Sequence, residues 1–462
     1  MTETLIWATA GVLLLAMLIV YRRTHDPLHP IMYLAPMLGY IHVYIPSIYY
    51  YRDQLVDYFP DPSQLEYALT YTLVAIIAFC MGCAAPKIPP RAMQFVRAPL
   101  KLTPHAAEVL KKVSYIMAAV GIAAYFYGLS RTGGLFEAYS RPKGGGSTAS
   151  GYISSAYLLT IPALMLYLIS RRSRKMDFRT SMIVLLFLSP HLLHGFLSAS
   201  RGTTFLALAA MLFGWYLATA QRPSLHLTLA GFVGLGLLML FLKTYRRDIY
   251  IGSDFAFDST RAIEAFAPSK PTVGDTSVFS YGLILASSHH DFHYWGQRLL
   301  VQLLIRPIPR QLWPTKYEDM GMGWMVTQPG TAGLSNTDWV EAVGWFPDRG
   351  SAAGLIADSF LEFAWGGLAL CFVIGYLYAY LWRQALIHRG VWNLLYFEAA
   401  VVSVFIPTQS FISAWLYRFT FLAIPTLLIM LWIRHRVRKA EEGGRMTPRI
   451  PEKIINLVDW RS

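Results

Sequence analysis

The sequence Arg306-Pro307-Ile308-Pro309-Arg310-Gln311-Leu312-Trp313-Pro314-Thr315-Lys316 places three cations and three prolines within eleven residues. It lies inside the only long polar interval, roughly residues 244–351, of a chain that is otherwise strongly apolar. Proline fixes φ and has no backbone N–H, so a proline-rich run is stiff and irregular. We therefore expect this proline-arginine segment to hold Arg306, Arg310 and Lys316 at set positions.

The residues just before this segment predict a short helix with one polar face. Tyr294 to Ile305 is apolar apart from three polar side chains. Two of these, Arg298 and Gln302, recur with Arg306 at every fourth position, which places all three on one helical face. Twelve residues are too few to cross a bilayer. The helix is thus expected to lie at the interface or to re-enter the fold, and to bring its cations to the membrane surface.

The overall composition places the chain among multi-pass membrane proteins. Of its 462 residues, 55% are hydrophobic and only 15% are charged. Eleven apolar stretches are long enough, or nearly long enough, to cross a bilayer. They fall at about 4–21, 30–51, 65–85, 112–129, 152–170, 180–199, 203–220, 225–243, 352–382, 391–408 and 411–433. The sequence predicts an all-α polytopic integral membrane protein with about eleven transmembrane helices.

The positions of lysine and arginine predict the orientation, because these residues accumulate in cytoplasmic loops. With eleven spans, the basic clusters all fall on one side: Arg22 and Arg23; Lys87, Arg91, Arg97, Lys101, Lys111 and Lys112; Arg171, Arg172, Arg174 and Lys175; Arg383 and Arg389; and Arg434 to Lys439. This predicts a periplasmic N-terminus, a cytoplasmic C-terminus and an external loop at 244–351.

Charge and hydropathy together define four predicted regions. These are spans one to eight at 1–243, one large periplasmic loop with interfacial helices at 244–351, spans nine to eleven at 352–433, and a basic cytoplasmic tail at 434–462. The loop contains 9 basic and 11 acidic residues, a net charge of −2, although the whole chain carries +13. The positive charge is thus concentrated beside the cytoplasmic ends of the spans, which gives no indication of a nucleic-acid partner.

Sequence motifs for several common chemistries are missing. The chain has no Walker A loop, no G-x-G-x-x-G, no G-x-S-x-G and no H-E-x-x-H. An early external loop also lacks the D-x-D that a metal-dependent lipid-linked glycosyltransferase would carry. Cys80, Cys83 and Cys371 lie within or at the ends of spans and imply no disulfide framework. We therefore expect no cofactor and no metal, with arginines taking the place of a divalent cation at any pyrophosphate.

A polar track is predicted at the end of the sixth span. His194, Ser198 and Arg201 are spaced to share one helical face that rises to the external surface. One interpretation is a substrate track in which His194 binds substrate and Arg201 binds a phosphate. The alternative is that His194 is a packing group and Arg201 an arginine that reaches the interface.

Two carboxylates are predicted on one face of the ninth span. Asp358 and Glu362 are four residues apart, so they can act as a general base or as counter-ions for the loop arginines. Glu398, in the tenth span, is interpreted as structural. Intramembrane carboxylates are costly and each needs a partner or a task.

Acidic and aromatic residues later in the loop suit a sugar. Asp338 and Glu341 lie near Trp324, Trp345 and Phe346, and a sugar stacks its apolar face on aromatic rings while carboxylates bind its hydroxyls. Asp338, Glu341, His194 and Trp313 are the predicted substrate-binding residues, although ordinary interfacial aromatics give the same pattern. The run His289-His290-Asp291-Phe292-His293 is interpreted as a polar patch rather than a metal site.

The proline-arginine segment resembles the R-P-I-P-R-x-L-W/F-P-x-K signature of bacterial oligosaccharide repeat-unit polymerases, the Wzy-type O-antigen and exopolysaccharide polymerases. Ser351 to Gly354, followed by Asp358, Glu362 and Phe363-Ala364-Trp365-Gly366-Gly367, is similar to their acidic span. Ser200-Arg201-Gly202 fits their short external turn. The resemblance covers about 191–383. The R-x10-G pattern is met by Arg310 and Gly321 but not by Arg131 or Arg141.

This resemblance implies a GT-C-like fold and glycosyl transfer at the periplasmic face of the bacterial inner membrane. The growing chain would leave its undecaprenyl pyrophosphate carrier and join an incoming lipid-linked repeat unit. Arg306, Arg310, Asp358 and Glu362 are then the expected catalytic residues, and Arg201, Arg306, Arg310 and Lys316 the expected pyrophosphate ligands. The partners are the lipid-linked oligosaccharide, the bilayer and, as a further candidate, a chain-length regulator. An O-antigen-type ligase and a polysaccharide or lipid flippase are the alternatives.

Overall fold

The computed structural model describes residues 1–87, 104–142, 144–145, 153, 155–171, 176–219, 224–264, 273–327, 331–348, 351–388 and 390–442. These residues form helices and their connections, and none of them lies in a β-strand. The predicted all-α class is confirmed. Of the predicted basic tail 434–462, residues 443–462 lie outside the described residues.

The described α-helices, in chain order, are α1 (Thr2–Thr24), α2 (Pro30–Gly39), α3 (Ile45–Tyr51), α4 (Pro62–Ala84), α5 (Pro104–Ser130), α6 (Leu135–Ala138), α7 (Thr160–Ser170), α8 (Phe178–Leu197), α9 (Arg201–Thr219), α10 (Leu225–Thr244), α11 (Ser259–Glu264), α12 (Thr276–His289), α13 (Gln297–Leu300), α14 (Lys316–Asp319), α15 (Trp324–Thr327), α16 (Asn336–Val343), α17 (Gly354–Phe363), α18 (Gly367–Ile387), α19 (Val391–Val401), α20 (Phe405–Thr408) and α21 (Tyr417–Glu442). Three π-helical stretches, Tyr40–Tyr44, Val301–Ile305 and Phe411–Leu416, continue neighbouring helices.

Nine helical stretches in the described part are long and apolar enough to cross a membrane, judged by length and composition. They are Thr2–Thr24, Pro30–Tyr51, Pro62–Ala84, Ala106–Ser130, Phe178–Leu197, Leu225–Thr244, Gly354–Ile387, Val391–Thr408 and Ala414–Ile433. Each corresponds to one of the eleven predicted spans. The two others fall on Ala156–Ser170, a shorter apolar helix, and on the 19-residue α9. The count of eleven stays a prediction.

Helix α10 has an exposed apolar surface of the kind that faces lipid. Its apolar side chains Leu227, Leu229, Val233 and Leu237 are all exposed. In water, a contiguous apolar surface of this kind favours association or aggregation. In a bilayer it is an ordinary helix surface, because the lipid tails are as apolar as leucine.

The chain forms two compact units, each assembled from segments that are distant in the sequence. The first contains Met1–Lys87, Ala267–Tyr380 and Ser403–Tyr417. The second contains Ile88–Phe266, Leu381–Val402 and Arg418–Ser462. The predicted boundaries at 243 and 351 follow changes in hydropathy, whereas these units follow contacts. Most of the polar interval therefore belongs to the same unit as the first three spans.

A buried helix from the polar interval forms part of the core of the first unit. In α12, every residue from Ser277 to Ser287 is buried, and the helix packs against α4, α16 and α17. Helix α17 is likewise buried from Gly354 to Glu362. With 14 and 10 residues, α12 and α17 are too short to span a bilayer. The interval 244–351 thus supplies core structure in addition to connecting segments.

Helices α4 and α18 approach closely because glycines lie where they touch. A Cβ on Gly82 would come within 2.1 Å of the Phe372 carbonyl oxygen, and one on Gly375 within 2.2 Å of the Phe79 carbonyl oxygen. Small residues of this kind allow membrane helices to pack backbone against backbone. This contact holds α18 against α4. Helix α17 comes directly before α18 in the chain, so its end is positioned by the same contact.

Helix α17 is separated from α18 by a sharp break. Ala364 has φ 49° and ψ −133°, and a single 3-10 turn, Ala364–Gly366, leads into α18. The 34-residue stretch Gly354–Ile387 is therefore two helices. Only the second, with 21 residues, has the length of a full membrane crossing.

Candidate functional site

The first unit contains a buried ion cluster centred on Arg298. Its Nε donates to Glu362 Oε1, and both terminal nitrogens lie 3.1 Å from Asp358 Oδ1. All three side chains are buried. Asp358 and Glu362 thus share one face of α17, as predicted, and both form ion pairs with the same arginine.

The second oxygen of each carboxylate is also hydrogen-bonded. Ser410 Oγ donates to Asp358 Oδ2 at 2.7 Å, and the Gly296 N–H donates to Glu362 Oε2 at 3.0 Å. Burial lowers the pKa of Arg298, but the two carboxylates more than offset this, and its pKa is raised. The geometry matches the counter-ion alternative for Asp358 and Glu362. A role for either as a general base stays a prediction.

Arg298 begins a polar stripe on one face of a short helix. The helix comprises α13 and the π-helical residues Val301–Ile305, and both Arg298 and Gln302 are buried. One turn further, Arg306 Nη1 donates to Gln302 Oε1 at 2.8 Å. The opposite face exposes Leu300, Leu303 and Leu304. The predicted one-sided polar stripe is therefore present, with its polar face directed into the protein.

The contacts of Arg306 include a hydrogen bond and an aromatic ring. Besides its bond to Gln302, its guanidinium carbon lies 3.6 Å from the centre of the Tyr417 ring. A guanidinium over an aromatic face is attracted by the ring quadrupole. The stripe therefore fixes Arg306 at the end of the helix.

Lys316 binds the backbone of the proline-arginine segment. Its ammonium donates to the carbonyl oxygens of Ile305 at 3.1 Å and Arg306 at 2.9 Å, and to that of Ile308. An ammonium has three donors, so these bonds use all of them. The residue is 3% exposed. Lys316 thus caps the end of the helix, and the predicted pyrophosphate contact would have to replace these bonds.

Arg310 is the exposed cation of the segment. Its guanidinium carbon lies 5.5 Å from the centre of the Tyr317 ring. Among the described residues it forms no hydrogen bond and no ion pair. Burial, together with the nearby Arg310 and Arg306, lowers the pKa of Lys316. A fixed group of cations with one open guanidinium is suited to bind a phosphate.

Trp313 belongs to the turn that connects these cations. Its indole N–H donates to Asp319 Oδ2 at 2.6 Å, and Thr315 Oγ1 donates to the same oxygen at 2.8 Å. These two bonds lower the pKa of Asp319. The indole N–H is therefore engaged within the turn, and a predicted substrate contact of Trp313 would use its ring face.

The predicted track at the end of α8 is not a single helical face. Helix α8 ends at Leu197, Ala199 turns the chain with φ 48°, and Arg201 begins α9. The prediction that His194, Ser198 and Arg201 share one helical face is wrong, because this left-handed turn separates Arg201 from the other two.

Each member of that track has its own environment in the second unit. His194 Nδ1 lies 3.0 Å from the Tyr139 hydroxyl, and Ser198 Oγ donates to the His194 carbonyl oxygen. Arg201 is exposed at the start of α9. It belongs to the second unit, whereas Arg306 and Arg310 belong to the first. A joint grip of these three arginines on one pyrophosphate stays a prediction.

Asp338 has a structural role at the start of α16. It forms a capping box with Ser335, in which each side chain accepts a hydrogen bond from the other residue's backbone N–H. These bonds lower the pKa of Asp338. Glu341 lies exposed on the same helix. Sugar binding by Asp338 or Glu341 stays a prediction.

Two aromatic residues near α16, Trp339 and Trp345, pack against each other and against α12. Trp339 is fully buried, stacks on Phe279 at 5.4 Å between ring centres, and lies 5.4 Å from the Trp345 ring. These rings pack α16 onto α12. Phe346 is exposed, and sugar binding by the aromatic residues of this region stays a prediction.

The histidine run is tied to backbone atoms. His290 Nε2 donates to the Asp338 carbonyl oxygen at 2.9 Å, and His293 Nδ1 lies 3.1 Å from the Phe360 carbonyl oxygen. Across the described ranges, no group of three or more His, Cys, Asp or Glu side chains is arranged to hold a metal ion. The prediction that the chain needs no metal remains untested.

Two residues of this region were not assigned a role from the sequence. Arg298 was placed on the polar stripe, but its partners Asp358 and Glu362 lie 60 and 64 residues further along the chain. Tyr417 gave no signal beyond being an aromatic residue in an apolar stretch. Only the three-dimensional arrangement identifies these two as the residues that anchor the stripe.

The chain matches no protein-family model, no curated protein and no solved structure.

Proposed function

We propose that this protein is a glycosyltransferase that polymerises undecaprenyl-pyrophosphate-linked oligosaccharide repeat units at the periplasmic face of the bacterial inner membrane. The proposal rests on the sequence resemblance of the proline-arginine segment. The observation that supports it best is Arg310, an exposed guanidinium without a hydrogen-bond or ion-pair partner among the described residues, beside Arg306 and Lys316.

The chemistry explains why such a guanidinium is useful. A sugar hydroxyl of the incoming unit attacks the anomeric carbon of the growing chain, and the bond from that carbon to the pyrophosphate oxygen breaks. The hydroxyl proton passes to water, and negative charge develops on the departing pyrophosphate. A preorganised donor at a developing anion contributes roughly 3–4 kcal/mol to lowering the barrier. Arg310 is the group proposed to supply it.

Four other predicted site residues receive separate roles in this proposal. Arg306 is the second pyrophosphate ligand, oriented by Gln302 and Tyr417. Lys316 fixes the backbone that carries both arginines. Asp358 and Glu362 hold the helix in place through Arg298. In this scheme the two carboxylates act as counter-ions rather than as a general base.

Two alternatives make different products. An O-antigen-type ligase has the same leaving group, but it transfers a finished chain once to a different acceptor. A flippase moves its lipid substrate without breaking a bond, and it is expected to place polar residues at span centres in paired halves. Here the cationic group lies in an irregular segment between helices, which favours the transferase.

The test is a reaction of purified protein with its lipid-linked repeat unit. Polymerisation predicts a ladder of products that differ by one repeat unit, together with released undecaprenyl pyrophosphate. The ladder is expected to persist in EDTA, because arginines take the place of a divalent cation. One transfer to an added lipid A acceptor without a ladder would identify a ligase. Transbilayer movement without bond cleavage would identify a flippase.

A further inference from the structure

A row of aromatic rings in the first unit ends in an exposed tryptophan at each side. Trp295 is 69% exposed and Trp365 is 41% exposed. His293 lies 5.8 Å from Trp295 and 5.5 Å from Phe360 between ring centres. Phe360 lies 6.4 Å from Tyr67, which lies 5.9 Å from Trp365. The three inner rings therefore support two outer indoles.

The backbone around Trp295 is strained. The described residues include seven non-glycine residues with positive φ. Four of these are Trp295 itself and Asp291, Ala332 and Ala364 in the segments around it. A left-handed conformation costs roughly 1–2 kcal/mol for most non-glycine residues, and it is a clear outlier for a bulky one. Such strain persists only where neighbouring contacts enforce it, and it concentrates at functional sites.

The contacts that enforce the conformation come from the Arg298 cluster. The Trp295 N–H donates to the Glu362 carbonyl oxygen at 2.7 Å, and the next N–H, that of Gly296, donates to the Glu362 side chain. The Tyr294 hydroxyl donates to the Ala332 carbonyl oxygen at 3.0 Å. The fold thus directs the Trp295 indole outward instead of burying it, even though burial of an indole would be favourable.

Polar groups accompany this surface. The Asp291 side chain is fully exposed, and its Oδ1 lies 3.8 Å from His293 Nε2. A fully exposed carboxylate in hydrocarbon would be strongly unfavourable, so this surface faces water. That distinguishes it from the aromatic belts that anchor membrane proteins to lipid.

We propose that Trp295 and Asp291 form a subsite for a pyranose ring of the lipid-linked repeat unit. Indole faces stack on the apolar face of a sugar, and a carboxylate accepts hydrogen bonds from its hydroxyls. This inference rests on the proposed function and adds a sugar-binding position to it. No residue of the subsite belongs to the predicted set of sugar-binding residues.

The subsite lies at the opposite end of the short helix from the cations. Trp295 precedes Gln297, whereas Arg306 follows Ile305, and the helix between them has nine residues. At about 1.5 Å per residue it is roughly 14 Å long. The sugar at Trp295 is thus separate from the one bonded to the pyrophosphate at Arg310. Loss of the subsite should weaken binding of the repeat unit and leave the rate of the chemical step unchanged.

The first arm of the test measures polymerisation kinetics of Trp295→Leu. KM for the repeat unit is expected to rise about tenfold while kcat stays within about twofold. Trp7→Leu is the matched control, because Trp7 is another exposed tryptophan, in α1, and no change is expected there. An unchanged KM, or a fall in kcat at constant KM, would overturn the subsite.

The second arm does not depend on polymerisation. The Trp295 fluorescence is obtained as the difference between wild type and Trp295→Phe in nanodiscs. Iodide in the water should quench this signal, and brominated phosphatidylcholine should not. Added lipid-linked repeat unit should protect it from iodide. Quenching by the brominated lipid, or no protection by the repeat unit, would overturn the subsite. Protection without any polymer would contradict the proposed function and leave the subsite standing.

Discussion

Arg298 and Asp358 lie 60 residues apart in the chain, and two guanidinium nitrogens of Arg298 meet one carboxylate oxygen of Asp358 at 3.1 Å. The pair is buried and joins the short helix that begins at Gln297 to α17. Two turns further along the same polar stripe lies Arg306. The buried ion pair therefore determines where the cations of the proline-arginine segment are held.

Removing Arg298 should destabilise the fold severely. Arg298→Met leaves two buried carboxylates without their cation, and such a loss costs about 3–5 kcal/mol. Thermal unfolding in detergent should show a large fall in Tm, together with loss of activity. Lys112→Met is the control, because Lys112 forms an exposed pair with Glu108, and such pairs contribute about 0–1 kcal/mol.

Substitution of the carboxylates separates their two possible roles. Asp358→Asn and Glu362→Gln should each lower Tm as well as activity, since each leaves part of the Arg298 cluster unpaired. A variant with wild-type Tm and no activity would instead identify that carboxylate as a general base.

Lys316 should be protected from amine-reactive reagents. Its ammonium is bonded to three carbonyl oxygens, so the folded protein offers no free amine there. Brief acetylation followed by mass spectrometry should modify Lys112, which is 72% exposed, and leave Lys316 unmodified. Equal labelling of both lysines would show that Lys316 does not cap the helix and that its ammonium group is open to a phosphate.

The predicted orientation can be tested with reporter fusions. Fusions after Lys175, Lys270 and Lys439 should report cytoplasm, periplasm and cytoplasm, because the basic residues beside the spans fall in alternate loops. A phosphatase and a fluorescent protein fused at each position give opposite signals and control for expression. A cytoplasmic signal at Lys270 would contradict both the orientation and the proposed reaction at the periplasmic face.

Periodicity in the sequence predicted which residues share a face, but not which residues they meet. The spacing of Arg298, Gln302 and Arg306 was enough to predict the stripe. The spacing of Asp358 and Glu362 was enough to place them together. The pairing of Arg298 with Asp358 requires the chain to bring two segments 60 residues apart into contact. A helical repeat carries no information about such a contact.

The turns were predicted less well, because their geometry depends on backbone atoms that a sequence does not display. From the sequence, Lys316 was predicted to be an open cation. In the structure, the path of the proline-arginine segment brings three carbonyl oxygens to its ammonium group. Ala199 gives no sign of the left-handed turn that separates Arg201 from His194. By contrast, the spacing of Ser335 and Asp338 is close to a capping-box signature, a signal that the interpretation of Asp338 as a substrate ligand did not use.

The central claim is that Arg310 stabilises the departing pyrophosphate, and the most direct measurement is the single-turnover rate of undecaprenyl pyrophosphate release by Arg310→Lys. Lysine keeps the charge but loses the forked geometry. We expect the rate to fall about a hundred- to a thousand-fold. Tm should be unchanged, because Arg310 is exposed. Arg52→Lys, at another exposed arginine of the same unit, should release pyrophosphate at the wild-type rate. A near wild-type rate in Arg310→Lys would contradict the claim and leave the proline-arginine segment as a structural clamp.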